Sequence, residues 1–183
     1  LDRCQQYARR YRYVLQADVR QFFPSIDHAI LCPLLARKIK DANVMHLIDL
    51  ILAGGKDVLK QEYEMTYFPN DTLFAATRSR GLPIGNLTSQ FWANVYLNPF
   101  DHFVKRELRC QGYIRFVDDF LLFADDKSTL WEWNAKIQAR LAQFRLQLHP
   151  RTSPHPVKNG IPFLGFIVFP EKRRLKRRRG IAF

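Results

Sequence analysis

No two of the chain's three cysteines lie close together. Cys4, Cys32 and Cys110 include no C-x-x-C pair. Such spacing argues against a zinc site and against a disulfide framework, and it points to a reduced, cytoplasmic setting. No apolar run approaches the length of a membrane span and no signal peptide opens the chain, so no membrane partner is expected. Internal repeats and low-complexity tracts are missing too, apart from one basic run, Lys172–Arg179. Acid is scarce: 17 Asp+Glu stand against 29 Lys+Arg, a formal net charge of +12. That excess suits a polyanion, most simply nucleic acid. A basic domain neutralised by some other partner is the blander alternative.

What remains is a folding sequence. At 183 residues, 47% hydrophobic and 14% aromatic, it can bury a core of its own and is no disordered tail. It begins at Leu1 without Met and ends at Ile181-Ala182-Phe183 just past the basic run, which reads as an excerpt of a longer protein.

Local patterns give an α+β order. Tyr13–Ala17 is a short apolar run leading to Asp18, a buried strand. Phe22–Asp27 turns into a helix that Ser25 or Asp27 could cap. Residues 28–40 and 43–53 have helical spacing, and the second ends at Gly54-Gly55. Tyr63–Phe68 and Leu73–Ala76 flank Pro69-Asn70-Asp71, so a hairpin excursion is expected at about 56–80. A loop at Gly81–Asn86 precedes a long helix from Thr88 or Ser89 to about Arg109. After Asp126 or Ser128 a further helix covers about 129–145. Leu146–His149 reads as a short strand, and Phe163–Phe169 with Leu175 onward as a last hairpin around Pro170-Glu171. Strands mixed with helices predict an antiparallel sheet packed by helices on one face.

The most informative segment is 113–125, Tyr-Ile-Arg-Phe-Val-Asp-Asp-Phe-Leu-Leu-Phe-Ala-Asp. Asp118 and Asp119 sit between two strand-forming runs, at the turn of a hairpin. Two readings fit the pair alone. It could be a solvated turn, since Asp is a common turn residue. It could instead be a buried acidic site, which is costly unless a cation offsets the charge. A strand ending in Asp18 beside that turn would bring three carboxylates to one sheet edge. Oxygen ligands of this kind favour Mg²⁺, and two such ions can activate an attacking oxygen and neutralise a leaving phosphate.

Four segments in order resemble the palm of a reverse transcriptase. Asp18-Val-Arg-Gln-Phe-Phe23 resembles motif A. Gly81-Leu-Pro-Ile-Gly-Asn-Leu-Thr-Ser-Gln90, with Asn94, resembles motif B. Phe116-Val-Asp-Asp119 resembles the Y-x-D-D box with Phe for Tyr, and Phe163-Leu-Gly-Phe166 resembles the primer grip. The resemblance covers about residues 11–179. It implies an RNA-directed DNA polymerase with Asp18, Asp118 and Asp119 catalytic, and with the Val19 carbonyl a further ligand of two Mg²⁺ (or Mn²⁺). Phe23 would be the steric gate under the incoming sugar, because a ring cannot admit an added 2′-OH without strain. An ordinary core Phe is its plain alternative.

Motif B departs from the commoner Q-G-x-x-x-S-P. Ile84 replaces a Gln that would touch the nucleotide, and Gln90 replaces a Pro. The I-G-x-x-x-S-Q pattern resembles the error-prone reverse transcriptases of diversity-generating retroelements; group II intron and retron enzymes are more distant. Ile84 offers shape but no hydrogen bond, or else packs under the loop. Gly85 lets the loop approach the nucleotide closely. Phe163, Leu164 and Gly165 would lie along the primer, and Lys172, Arg173 and Arg174 would contact template–primer phosphates. The implied partners are template RNA, primer and cDNA, dNTPs, and an accessory protein of the retroelement. By the same resemblance, residues 1–12 end the fingers, 13–170 form the palm and 171–183 lead to a thumb that is mostly absent. A non-catalytic nucleic-acid-binding module and a metal-dependent nuclease are the competing classes.

Overall fold

The computed structural model describes residues 1–55, 59–69 and 71–176. Four expected features fall partly outside them: Arg177–Arg179 of the basic run, residues 177–183 of the segment leading to the thumb, Asn70 of the turn signal, and Lys56, Asp57 and Val58 at the start of the excursion. The described helices are α1 (Asp2–Arg10), α2 (Phe22–Ser25), α3 (His28–Ala36), α4 (Ala42–Gly54), α5 (Leu87–His102) and α6 (Lys127–Gln143). The strands are β1 (Tyr13–Asp18), β2 (Gly112–Phe116), β3 (Asp119–Ala124), β4 (Ser153–Pro156), β5 (Ile161–Phe163), β6 (Phe166–Val168) and β7 (Arg173–Leu175). All strand pairings are antiparallel, so the α+β expectation holds.

The chain divides into two compact units. The first holds Leu1–Asp18, Val104–Lys136 and the segment from Pro150 onward. Its main sheet has the order β2-β3-β1-β4, and a smaller one the order β5-β6-β7. Cross-strand partners share a face of the pleat. Val14, Leu121 and Phe123 therefore point one way, and they join Cys4 and Ala8 of α1 with Val157, Ile161, Phe163 and Val168 in one core. Cys4 and Ala8 are one helical turn apart, which puts both on the buried stripe of α1. Gly112 faces Phe123; a Cβ there would come within 2.8 Å of Phe123 Cβ and 2.9 Å of the Tyr11 ring, so only glycine lets Tyr11 close over this corner.

The second unit holds Val19–Phe103 and Ile137–His149. Side chains start two of its helices, α3 and α4: Asp27 accepts the Ala29 N–H (2.9 Å) and Asp41 the Asn43 N–H (2.8 Å). Helix α3 packs on α5, whose Trp92, Ala93, Tyr96, Leu97 and Phe100 are buried. Beyond His102 the helix widens into a π turn over Phe103–Glu107, so the helical course ends before Arg109.

Two local expectations are corrected and a third is extended. The described residues of the 56–80 excursion form no hairpin; they make 3-10 turns at Lys60–Glu62 and Leu73–Thr77. Leu146–His149 is no strand: Leu148 makes one isolated bridge with Val19, and the fourth strand is Ser153–Pro156. The last hairpin, expected around Pro170-Glu171, is formed by β6 and β7, and a further one precedes it, because Phe163 pairs with Phe166 across a two-residue turn. Leu164 (φ 49°) and Gly165 (φ 80°) both have positive φ there, as a tight hairpin of the primed kind needs.

Candidate active site

Strand β1 ends at Asp18 and β3 begins at Asp119, and the register pairs these two directly. Phe116 of β2 pairs with Asp119 from the other side. Phe116, Asp119 and Asp18 thus form one row across three strands, at the end of the sheet away from the α1 core. Asp118 lies in the two-residue turn between Phe116 and Asp119. Val117 precedes it with φ 56°, a costly conformation for a β-branched residue. Arg115 holds the turn: its Nη1 donates to the Val117 carbonyl at 2.7 Å.

All three carboxylates are half-buried. Burial raises the Asp118 carboxyl above its ordinary range, against the backbone N–H groups of Asp118 and Asp119 and the charge of Arg115. Asp119 is also raised, first by burial and then by the charge of Asp118, with Lys176 opposing. Like charges crowded in a poorly solvated place make a site that favours a cation. The donor set is all carboxylate oxygen, the chemistry that suits Mg²⁺. Among the described residues, no three acidic, imidazole or thiol side chains form a ready-made metal-holding group. The backbone gathers the trio at one end of the sheet without converging the side chains on a point.

The segment that resembles a primer grip, Phe163–Phe166, belongs to the same unit. Phe163 is in the core and supports the hairpin from beneath, while Leu164 is 40% exposed at its tip. The Lys176 N–H donates to the Gly165 carbonyl at 2.9 Å. Lys172 and Arg174 are exposed and lie over the Phe169 ring, at 5.8 and 5.7 Å. Arg173 is tied to α1 by Asp2 (2.6 Å) and Gln5 (3.0 Å), so part of its charge is used within the fold.

The remaining candidates lie in the second unit. Val19 is buried and bridges to Leu148. Phe23 is half-buried, edge-on to Phe22 with centroids 5.6 Å apart, and is not an enclosed core ring. Its carbonyl accepts the Leu82 N–H at 2.9 Å, which ties it to the loop carrying Ile84 and Gly85. Ile84 is 62% exposed, so it does not pack under that loop. Gly85 has φ +99°, and a Cβ there would touch nothing within 4 Å: its backbone, not crowding, calls for glycine. Gln90 is exposed on α5, and its carbonyl accepts Asn94 Nδ2 at 3.0 Å.

Sequence reasoning passed over Arg115, counted Lys176 only within the basic run, and took Asp27 for a cap or a local hydrogen-bonding residue. A strand arginine two residues before a turn could have flagged Arg115. Asp27 also meets Arg78 and Arg145, the latter 118 residues away, a pairing with no local signal.

A family described as "Reverse transcriptase (RNA-dependent DNA polymerase)" matches residues 2–168. Protein YkfC of Escherichia coli (strain K12) is 28% identical over 130 residues, which cover 70% of this chain and 27% of that protein. Group II intron-encoded protein LtrA of Lactococcus lactis subsp. cremoris is 32% identical over 93 residues, 51% of this chain and 13% of the relative. The chain therefore spans about a quarter or less of these curated relatives. Among solved structures, apo telomerase from Candida tropicalis superposes with a TM-score of 0.57 at 14% identity, over 94% of this chain and 35% of the other. Likeness at that identity speaks for the fold alone.

Proposed function

Because the chain belongs to the reverse transcriptase (RNA-dependent DNA polymerase) family, we propose that it carries the palm of an enzyme adding dNTPs to a primer 3′-OH on an RNA template. The observation that carries this reading is the pairing of Asp18 with Asp119, beside Asp118 on a tight turn. On the same reading residues 13–170 are palm, 1–12 end the fingers and 171–183 start toward a thumb. Primer extension on an RNA template, with Asp118→Asn as the control, tests it.

The primer 3′-OH attacks the α-phosphate in line and pyrophosphate leaves. Two Mg²⁺ or Mn²⁺ ions held by Asp18, Asp118, Asp119 and the Val19 carbonyl would activate the attacking oxygen and neutralise the leaving group. The chain's own residues do the positioning. The turn at Leu164-Gly165 supports the primer end, and Lys172, Arg173 and Arg174 meet duplex phosphates. Phe23 closes the space beside the sugar. Phe23→Ala therefore raises ribonucleotide incorporation about ten- to a hundredfold relative to dNTP, in single-nucleotide extension assays. An unchanged ratio removes Phe23 from the gate.

The retroelement subfamily is the finer part of this proposal. The exposure of Ile84 supports it: an apolar side chain at the nucleotide offers no hydrogen bond to a base or sugar edge. Ile84→Gln lowers misincorporation by about tenfold, read by sequencing the cDNA, if that missing bond is what relaxes selection. An accessory protein and a template repeat belong to the same reading. The 32% identity to LtrA over 51% of the chain favours a second one, a group II intron-type enzyme in which Ile84 takes no part in nucleotide selection, so that Ile84→Gln leaves the error rate where it was. The unpaired thiols of Cys4 and Cys110, both buried and pushed up to about 11 by that burial, suit a reducing cytoplasm. No helix among the described residues is long and apolar enough to cross a membrane.

A further inference from the structure

Four segments of the second unit meet in a buried ion cluster. Asp27 and Asp71 supply the acids, with side chains 3% and 6% exposed. Arg78 grips Asp71 with two nitrogens at 2.6 and 3.0 Å and stands 3.8 Å from Asp27. Arg145 donates to Asp27 and reaches Asp71 at 3.9 Å. Tyr96 completes the set: its Oη accepts the Asp27 N–H at 3.3 Å and donates to the Phe144 carbonyl at 2.6 Å. Burial pushes the Tyr96 phenol up, so it stays a neutral donor. Two acids and two bases cancel. Burial would raise Asp71, but the Phe68 N–H, Arg78 and Arg145 outweigh it and hold the carboxyl below its usual range.

Arg145 occupies a position where glycine is the ordinary choice. Helix α6 closes with Arg145 N–H on Ala142 and Leu146 N–H on Leu141, both at 3.0 Å, and Arg145 takes φ 55°. An L-residue there carries strain. The chain tolerates it, and the side chain so placed bridges both acids.

The cluster abuts the backbone ladder that joins the two nucleotide-facing segments. His28 N–H bonds the Ser79 carbonyl (3.1 Å), Gly81 N–H that of Ile26 (2.8 Å) and Leu82 N–H that of Phe23 (2.9 Å). His28 Nε2 adds a contact of 2.7 Å to the Gly81 carbonyl. Asp27 lies inside this ladder on one side, bridged to Arg80, and Arg78 immediately precedes it on the other. Two residues beyond Leu82 comes Ile84. A buried ionic group fixes one arrangement among several packed ones, because a shifted register would strand an uncompensated charge.

We infer that the Asp27–Arg78–Asp71–Arg145 cluster sets the register of the Ile84-Gly85 loop against Phe23, which makes Asp27 a positioning residue for nucleotide selection. The inference rests on the polymerase reading above. Asp27→Asn in the intact protein keeps an oxygen for the Ala29 cap and deletes the charge. Steady-state single-nucleotide extension should show dNTP KM raised about tenfold or more, with misincorporation raised alongside and kcat within about threefold. The double variant Asp27→Asn with Arg145→Gln restores neutrality. It regains melting temperature but not KM, since the link itself is gone; where the single variant does not fold, the double decides. A purely structural cluster gives the opposite result, with wild-type KM and fidelity in whichever variant folds, and that result overturns the inference, as does a loss confined to kcat. Wild-type protein that extends primers while Asp118→Asn does not keeps the parent reading intact in that event. A full-length wild type that extends no primer on RNA takes both down.

Discussion

Asp118→Asn lowers primer extension on an RNA template by about a thousandfold, and the same variant melts at a higher temperature than the wild type. Both effects have one cause. The turn places Asp118 half-buried, where burial works against its ionisation, and its charge adds to burial in raising Asp119. A carboxylate held there is a poor contributor to folding and a strong attractor of cations. Asn keeps the shape and the turn but removes the charge, so the fold gains while the reaction loses. Activity and stability that fall together would mean that Asp118 holds the hairpin rather than serving the chemistry.

The pH dependence follows from the direction of those shifts. A carboxyl raised in the folded state binds more protons there than in the unfolded chain. Stability then falls as pH rises from the model-peptide value of 3.8 through the raised folded value, and stays lower above it. Asp2, Asp71 and Asp126 are lowered and act in the opposite sense: their contribution is present at neutral pH and is lost as pH falls. The difference between wild-type and Asp118→Asn melting curves isolates the first effect. It grows from about pH 4 toward neutrality and then levels off. Added Mg²⁺ stabilises whichever state binds it, so it raises the wild-type melting temperature and leaves the variant nearly unmoved. An equal rise in both would place the cation elsewhere.

Much of this site was legible because it is local. Apolar residues up to Asp18, and two strand-forming runs around Asp118-Asp119, mark a strand end and a hairpin wherever they occur. Their meeting followed only from the family pattern, since nothing in residues 13–18 says which strand will lie alongside. The register realises it by pairing Asp18 with Asp119. Strand β4 was hidden by Pro154 and Pro156, which read against a strand. As the edge of the order β2-β3-β1-β4 it tolerates them, because an edge residue can do without an N–H. Leu146–His149 showed the converse: its alternation mimics a strand, yet it follows the strained Arg145 and makes a single bridge. The ion cluster was invisible because its members come from residues 27, 71, 78 and 145, each unremarkable among its neighbours. The exposure of Ile84 was likewise beyond any pattern, since a hydrophobic residue in a loop is as often packed as bare.

Gly160→Ala carries the largest expected loss of stability, about 2–5 kcal/mol, from two independent costs. Gly160 has φ +85°, so any L-residue there is strained. Its Cβ would also stand 2.6 Å from Ile167 Cγ2 and 2.7 Å from Phe169 Cζ. The Phe169 ring could swing aside, although Lys172 and Arg174 lie over it. Ile167 cannot, because its branch sits on a stiff Cβ within β6. Relief requires β6 to move away from β5, which opens the pairing of Ile161 with Val168 in the core. The Leu164-Gly165 turn moves with it, so primer affinity falls along with melting temperature. Gly165→Ala supplies the comparison. Gly165 shares the positive φ, +80°, but a Cβ there meets nothing within 4 Å, which leaves only the backbone cost of about 1–2 kcal/mol. Denaturant melts of the two variants read the excess loss at Gly160, where ψ of 142° adds backbone strain beyond the left-handed helical region to the crowding by Ile167. Equal losses would mean that the contact with Ile167 relaxes freely and that the β5–β6 pairing is not what holds the turn in place.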